Sequence, residues 1–249
     1  MHILEAKGLV KRFGGVKAVD HFDLDIQEKE ICSIIGPNGA GKTTLFNLLS
    51  NRFLADEGQI FFKGQDITGI PPHKLPALGI GRTFQITNIF PKMTAFENIQ
   101  AAVVKNQGKS FAWFRPLKKY KEIEAATNET LENIGLQDKK DFLSTELPYG
   151  DQRRLEIGIA MANNPEMLLL DEPTAGMGPE ETKSTIEFIS KLNQENQITI
   201  LIIEHDMDLV FTLSQNICVM HQGALIAYGK PEEIAQNKEV TEAYMGGEE

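Results

Sequence analysis

Gly36-Pro37-Asn38-Gly39-Ala40-Gly41-Lys42-Thr43 is the stretch of sequence that decides the fold. It fits the pattern G-x-x-x-x-G-K-[ST], and its flanks are the ones that pattern requires. Residues 31–35, Ile-Cys-Ser-Ile-Ile, read as a buried strand leading in, and residues 44–50 read as a helix leading out. The glycines let backbone N–H groups turn inward around phosphate oxygens. The start of the helix adds its dipole to the same anion. Lys42 is placed to reach the β and γ phosphates, and Thr43 to coordinate Mg²⁺. The expected cradle is Gly36, Pro37, Asn38, Gly39, Ala40, Gly41, Lys42, Thr43 and Thr44.

Downstream, the apolar run at 167–170 ends in Asp171-Glu172. Carboxylates at the end of a buried strand lie where α/β folds bind ligands. Asp171 is expected to hold Mg²⁺ through water, and Glu172 to orient or deprotonate an attacking water. A second apolar run, 198–203, leads to Glu204-His205-Asp206. His205 reads either as a structural histidine or as a contact to the γ phosphate. Further strands are expected at 3–6, 22–26, 58–62 and 217–220. Thr94-Ala95-Phe96-Glu97 is a capping box opening a helix to about 104. Residues 117–134 are polar and helical in period, and Pro179 suits the first position of another helix. Apolar strands alternating with helices after residue 149 indicate a parallel sheet covered on both faces.

With 249 residues, 41% hydrophobic and 24% charged, the chain suits one well-cored unit. No run approaches the ~20 apolar residues of a membrane span, and the start, Met1-His2-Ile3-Leu4-Glu5, lacks a signal pattern. The expected location is the cytoplasm. The net charge of −10 argues against nucleic acid as a partner. The basic run Lys118-Lys119-Tyr120-Lys121 reads as a solvated helix face. Cys32 and Cys218 sit in apolar runs without metal-ligand spacing, as two buried thiols.

These motifs together resemble the ABC ATPases across essentially the whole chain. The resemblance implies an α/β ABC ATPase fold: a phosphate-loop core with a mostly parallel sheet, an N-terminal antiparallel β subdomain and an inserted helical subdomain. The implied division is a core of residues 1–89 and 147–249 with a helical lobe at 90–146. Phe13 matches the aromatic that stacks on adenine, with a place at the edge of the core as the alternative. Gln85 matches the glutamine that contacts Mg²⁺ and the attacking water, and His205 the switch histidine. Leu147-Pro148-Tyr149-Gly150-Asp151 matches the signature loop, so Pro148, Tyr149 and Gly150 are expected to meet the nucleotide of a facing subunit. Ala175-Gly176-Met177-Gly178-Pro179 matches the loop that contacts that subunit. The implied cofactors are ATP and Mg²⁺. The implied partners are polytopic permease subunits, a second ABC ATPase and, indirectly, an extracytoplasmic solute-binding protein, with the chain at the cytoplasmic face of the inner membrane.

Tyr149, the run Arg153-Arg154-Leu155-Glu156-Ile157, the segment Glu204-His205-Asp206-Met207 and Trp113-Phe114-Arg115 resemble the ATP-binding subunits of branched-chain amino acid importers in particular. Urea-import and lipopolysaccharide-export ATPases look similar. Two positions depart from the family pattern: Pro148 stands where a serine is usual, and Gly178 where Asp or Asn is usual. A ribosome- or DNA-linked ABC protein is the rival reading. Such proteins usually carry two ATPase domains or long coiled coils, and neither is visible here.

Overall fold

Five strands running in one direction put their C-terminal ends along a single edge, and the site is built on that edge. The computed structural model describes residues 1–83, 89–106 and 121–245. In chain order the elements are β1 (His2–Phe13), β2 (Val16–Gln27), β3 (Ile31–Ile35), α1 (Lys42–Leu49), β4 (Glu57–Phe62), β5 (Gln65–Asp66), α2 (Leu75–Leu78) and β6 (Ile80–Arg82). Then come α3 (Ala95–Asn106), α4 (Lys121–Asn133), α5 (Tyr149–Met161), β7 (Met167–Asp171), α6 (Pro179–Asn196), β8 (Thr199–Ile203) and α7 (Met207–Leu213). The chain closes with β9 (Asn216–His221), β10 (Ala224–Gly229), α8 (Pro231–Ala235) and α9 (Lys238–Met245).

The main sheet has the order β10-β9-β3-β8-β7-β6. It is parallel throughout except for β10, which pairs antiparallel with β9. Its three central strands, β3, β8 and β7, are buried at every position. Alternation along each strand feeds two cores. Ile31, Ile35, Leu168, Leu170, Ile200 and Ile202 face one cluster, which runs without a break into Ile99 of α3, Leu131 of α4 and Leu155 of α5. Cys32, Ile34, Leu169, Leu201 and Ile203 face the other, shared with Phe46 of α1 and Phe22 of β2. Residues buried on both faces explain why these strands read as unbroken apolar runs rather than alternating ones. Cys32 and Cys218 are free and buried as expected, and burial pushes both thiols up.

A second, antiparallel sheet, β2-β1-β4-β5, covers the α1 side. Its first two strands are twelve residues each, much longer than 3–6 and 22–26. The second half of β1, Lys7–Phe13 in sequence, is charged and broken by Gly8, and β1 carries several register shifts. Bulges of this kind scramble the period-two signal. β10 also escapes the sequence reading. Its cue is the Gln222-Gly223 pair, with φ of 46° and 83°, which is the backbone of a tight hairpin turn. The Thr94–Glu97 box forms as expected: Thr94 N–H donates to Glu97 at 2.9 Å and Glu97 N–H to the Thr94 hydroxyl at 3.1 Å. Pro179 begins α6 behind Gly178. Of the expected helix at 117–134, Lys121–Asn133 is helical, and residues 117–120 lie outside the described residues. No helix among the described residues is long and apolar enough to cross a membrane.

Candidate nucleotide site

The phosphate loop joins β3 to α1. Gly36, Gly39 and Gly41 have φ of 153°, 80° and 101°. A Cβ on Gly36 would lie 2.1 Å from the Met220 carbonyl oxygen, and one on Gly41 2.1 Å from that of Ala18. The loop is therefore threaded between β9 and β2 with no room for a side chain at either point. Lys42 is 6% exposed. Its ammonium donates to the carbonyls of Gly36 at 2.6 Å and Pro37 at 3.0 Å. Burial pushes its pKa down, and the charge of Glu172 pulls it back up. A phosphate anion arriving at the loop offers this ammonium a stronger, charge-assisted partner than two neutral carbonyls. Thr43 is exposed at the start of α1, and Asn38 and Gly39 are open to solvent.

Two neighbouring strands, β7 and β8, deliver the acidic and imidazole groups beside β3. Asp171 ends β7 and pairs in register with Ile203 of β8, which in turn lies beside Ile34 of β3. Glu172 is held with φ of 46°, a left-handed backbone that costs a glutamate of order 1–3 kcal/mol. Its N–H is fixed by the Ile203 carbonyl at 2.9 Å. This turns the Glu172 carboxylate toward His205, whose Nε2 stands 2.7 Å from Oε1. His205 is half-exposed and faces this carboxylate.

Asp171 is 4% exposed. Burial raises its carboxyl above the usual range, while Arg82 acts in the opposite direction. Arg82 extends from the end of β6. It donates to Asn47 at 2.9 Å and to Ser50, and stacks at 4.7 Å over Phe46. Desolvation brings its pKa down to about 10. Arg82 thus ties the phosphate-loop helix to the acidic strand, a role the sequence pattern did not suggest.

Phe13 lies at the tip of the β1–β2 hairpin, 48% exposed, edge-on to Phe53 at 5.7 Å. Lys11 Nζ lies over the same ring, 5.7 Å from its centroid. Gln85 lies outside the described residues, as do Trp113, Phe114 and Arg115.

A family model described as "ABC transporter" matches residues 19–175. The chain is an ABC ATPase. A second model, described as "Branched-chain amino acid ATP-binding cassette transporter", matches residues 224–249. The chain is 43% identical to the high-affinity branched-chain amino acid transport ATP-binding protein BraF of Pseudomonas aeruginosa, over 98% of each chain. It also superposes on MJ1267, an ATP-binding cassette of an ABC transporter, with a TM-score of 0.87 and 33% identity over 98% of this chain and 99% of that one. A post-hydrolysis dimer of the cassette MJ0796, bound to ADP and Pi, matches with a TM-score of 0.75 and 25% identity over 92% of this chain and 99% of that one. As a member of this family the ABC ATPase binds nucleotide and hydrolyses ATP to power transport.

The signature segment of this ABC ATPase sits at the start of α5. Pro148 is the N-cap and makes no side-chain bond. The first N–H to be used inside the helix is that of Gln152, to the Pro148 carbonyl at 3.0 Å. The loop's side chains turn toward their own chain: the Tyr149 hydroxyl donates to Ala175 at 3.0 Å, and Gln152 donates to Leu147 at 2.9 Å. At the other departure from the pattern, the Gly178 N–H is taken by Glu181 at 3.2 Å. This is the half of a capping box that the third residue of α6 supplies, and Gly178 has no side chain to supply the other half.

The close approach at Gly36 gives a direct stability test. Gly64, in the β4–β5 turn, has φ of 76° and open space around it. Gly64→Ala is expected to cost about 1–2 kcal/mol from backbone strain alone. Gly36→Ala is expected to cost about 1–3 kcal/mol more, because the end of β9 must move. Urea denaturation of the two variants measures the difference, and equal losses would show that the loop gives way freely.

Proposed function

We propose that this ABC ATPase powers an importer of branched-chain and similar hydrophobic amino acids, at the cytoplasmic face of a membrane and beneath permease subunits on other chains. The observation that carries the reading is the Glu172–His205 pair at 2.7 Å beside a built phosphate loop, in a chain whose C-terminal segment and full-length relative both point to branched-chain amino acid transport.

In this reading Phe13 stacks on the adenine, and residues 36–44 wrap the phosphates. Lys42 leaves its two carbonyls for the β and γ phosphate oxygens. Glu172 orients a water against the γ phosphorus and takes its proton, while the bond from that phosphorus to the ADP oxygen breaks. His205 holds Glu172 in position and meets the γ phosphate. Thr43 and Asp171 suit Mg²⁺: Thr43 is exposed at the start of α1, and Asp171 ends β7 on the same edge of the sheet. Mg²⁺ keeps waters and phosphate oxygens in its shell, so two protein groups suffice. When bound, the ion neutralises charge developing on the phosphates. Gln85 would complete this set.

The site is shared between two subunits. The N–H groups of Tyr149 and Gly150, left over at the start of α5, would face the partner's γ phosphate without help from a serine. The dimer of MJ0796 with ADP and Pi supports the arrangement. Glu172→Gln keeps the shape of the side chain but removes the proton acceptor, so it is expected to accumulate an ATP-bound dimer. The wild-type chain without nucleotide is expected to run as a monomer. Size-exclusion chromatography with light scattering, on the variant alone and mixed with the second ATPase, checks this. A monomer in both cases overturns the shared site.

Loss of the Phe13 ring isolates the base contact. Phe13→Ala is expected to weaken nucleotide binding by about 1–2 kcal/mol, the scale of base–aromatic stacking, read by fluorescence titration. Unchanged affinity would return Phe13 to the role of a bracing residue.

The permease contact is expected on the α3 side of residues 90–146. Phe90, Phe142 and Leu143 are 55%, 51% and 38% exposed there, and the Thr94–Leu143 bridge brings their segments together. An apolar patch of this kind marks a docking surface. Cysteines at 90 and 142 should crosslink to a permease in membrane vesicles. Full transport without crosslinks would move the docking surface elsewhere.

A further inference from the structure

Two hydrogen-bonded anchors grip the segment between Glu172 and α6. The first is Glu204, 4% exposed after the end of β8. Its Oε1 accepts from the Thr174 N–H at 3.0 Å and from the Thr174 hydroxyl at 2.5 Å. Its Oε2 accepts from the N–H of His205 at 2.9 Å. One buried carboxylate therefore ties the loop carrying Glu172 to the residue that bonds Glu172. The second is Tyr149, at the start of α5. Its hydroxyl donates to the Ala175 carbonyl at 3.0 Å. Its ring lies over Gly176, where a Cβ would come within 3.7 Å of the hydroxyl. Arg153 lies 5.5 Å from the ring centroid and is itself held by Glu156 at 2.8 Å.

The segment between the anchors is short and internally bonded. Ala175 N–H donates to the Glu172 carbonyl at 3.2 Å, and Met177 N–H to the Thr174 carbonyl at 3.1 Å. Two consecutive turns of this kind leave few torsions free to absorb a displacement. A shift of Ala175 therefore carries to Glu172, whose backbone is already pinned in a left-handed conformation.

We propose that Tyr149 and Glu204 are positioning residues that join the signature loop and the Glu172–His205 pair of one chain into a single unit through residues 172–177. The proposal rests on the reading of Glu172 as the group that activates water. Engagement of α5 with a partner's nucleotide is then felt, inside the same chain, as alignment of its own Glu172 and His205. Tyr149 has a purpose here that a smaller residue at this position could not serve, because only a long side chain with a terminal hydroxyl reaches the Ala175 carbonyl.

The test is a double-mutant cycle in the complete transporter, reconstituted with its permeases and second ATPase, with ATPase kcat and KM measured for each variant. Tyr149→Phe deletes only an exposed hydroxyl, and Thr174→Val only a buried one. Each is expected to lower kcat by about 3- to 10-fold, the scale of one hydrogen bond, with KM for ATP changed less than about twofold. Thr174→Ser keeps the hydroxyl and should restore kcat. The double variant Tyr149→Phe/Thr174→Val should be little slower than the slower single variant, because both break one linkage. Multiplicative effects in the double variant overturn the proposal. So does a rise in KM with kcat unchanged, or failure of Thr174→Ser to restore kcat. ATP-driven association of the Glu172→Gln chain is scored separately. Its absence overturns the shared site, while the cycle still decides whether the two anchors act as one.

Discussion

The site depends first on β8 lying between β3 and β7. The three strands run parallel, buried on both faces, with Ile203 paired to Ile34 on one side and Asp171 on the other. Because all three point the same way, the phosphate loop, the Asp171-Glu172 pair and His205 emerge along one edge of the sheet, where parallel α/β folds gather ligands. Neighbouring strands are about 4.8 Å apart, so adjacent strand ends set side chains within reach of each other. The apolar clusters on both faces hold that order. The polar groups only have to be aimed.

Aiming is done with strain and burial. Glu172 occupies a backbone region that most residues avoid, and Lys42 is buried on carbonyls rather than in water. Backbone strain of this kind costs of order 1–3 kcal/mol, and the surrounding hydrogen bonds hold it in place. Gly36 lies against the Met220 backbone so closely that no side chain fits there. A cavity of about 360 Å³ lies at the opposite ends of the strands, lined by Ile3, Glu166 and Thr199. The phosphate loop itself borders a cavity of about 310 Å³ shared with His221 and Glu242 of α9.

Charge is handled locally. The chain is acidic overall, yet Lys42 and Arg82 are the groups buried near the acidic strand end. The Arg82 charge offsets part of the desolvation of Asp171, and Arg82 also donates to Asn47 of α1. The phosphate-loop helix and the acidic strand are therefore coupled through an arginine on a third strand. Such a link is visible only when β6, β7 and α1 are assembled.

Local chemistry in the sequence determined the phosphate loop, the central strands, the helix starts at Thr94 and Pro179, and the family. Each depends on neighbours in the chain: glycines that permit a turn, an apolar run of strand length, a cap three residues from its partner. β1, β2 and β10 were legible only in part or not at all, because bulges and cross-strand pairing rather than local alternation define them. His205 could be listed from sequence as either structural or functional, and its 2.7 Å contact with Glu172 appears only in the fold. Glu204, Thr174 and Arg82 had no signal of their own, since a buried polar residue looks the same in sequence as an exposed one. Tertiary structure alone decided which carboxylate is gripped and which faces the imidazole. The physical reason is that these roles are set by hydrogen bonds across 30 to 90 residues of chain, a separation at which sequence spacing carries no geometry.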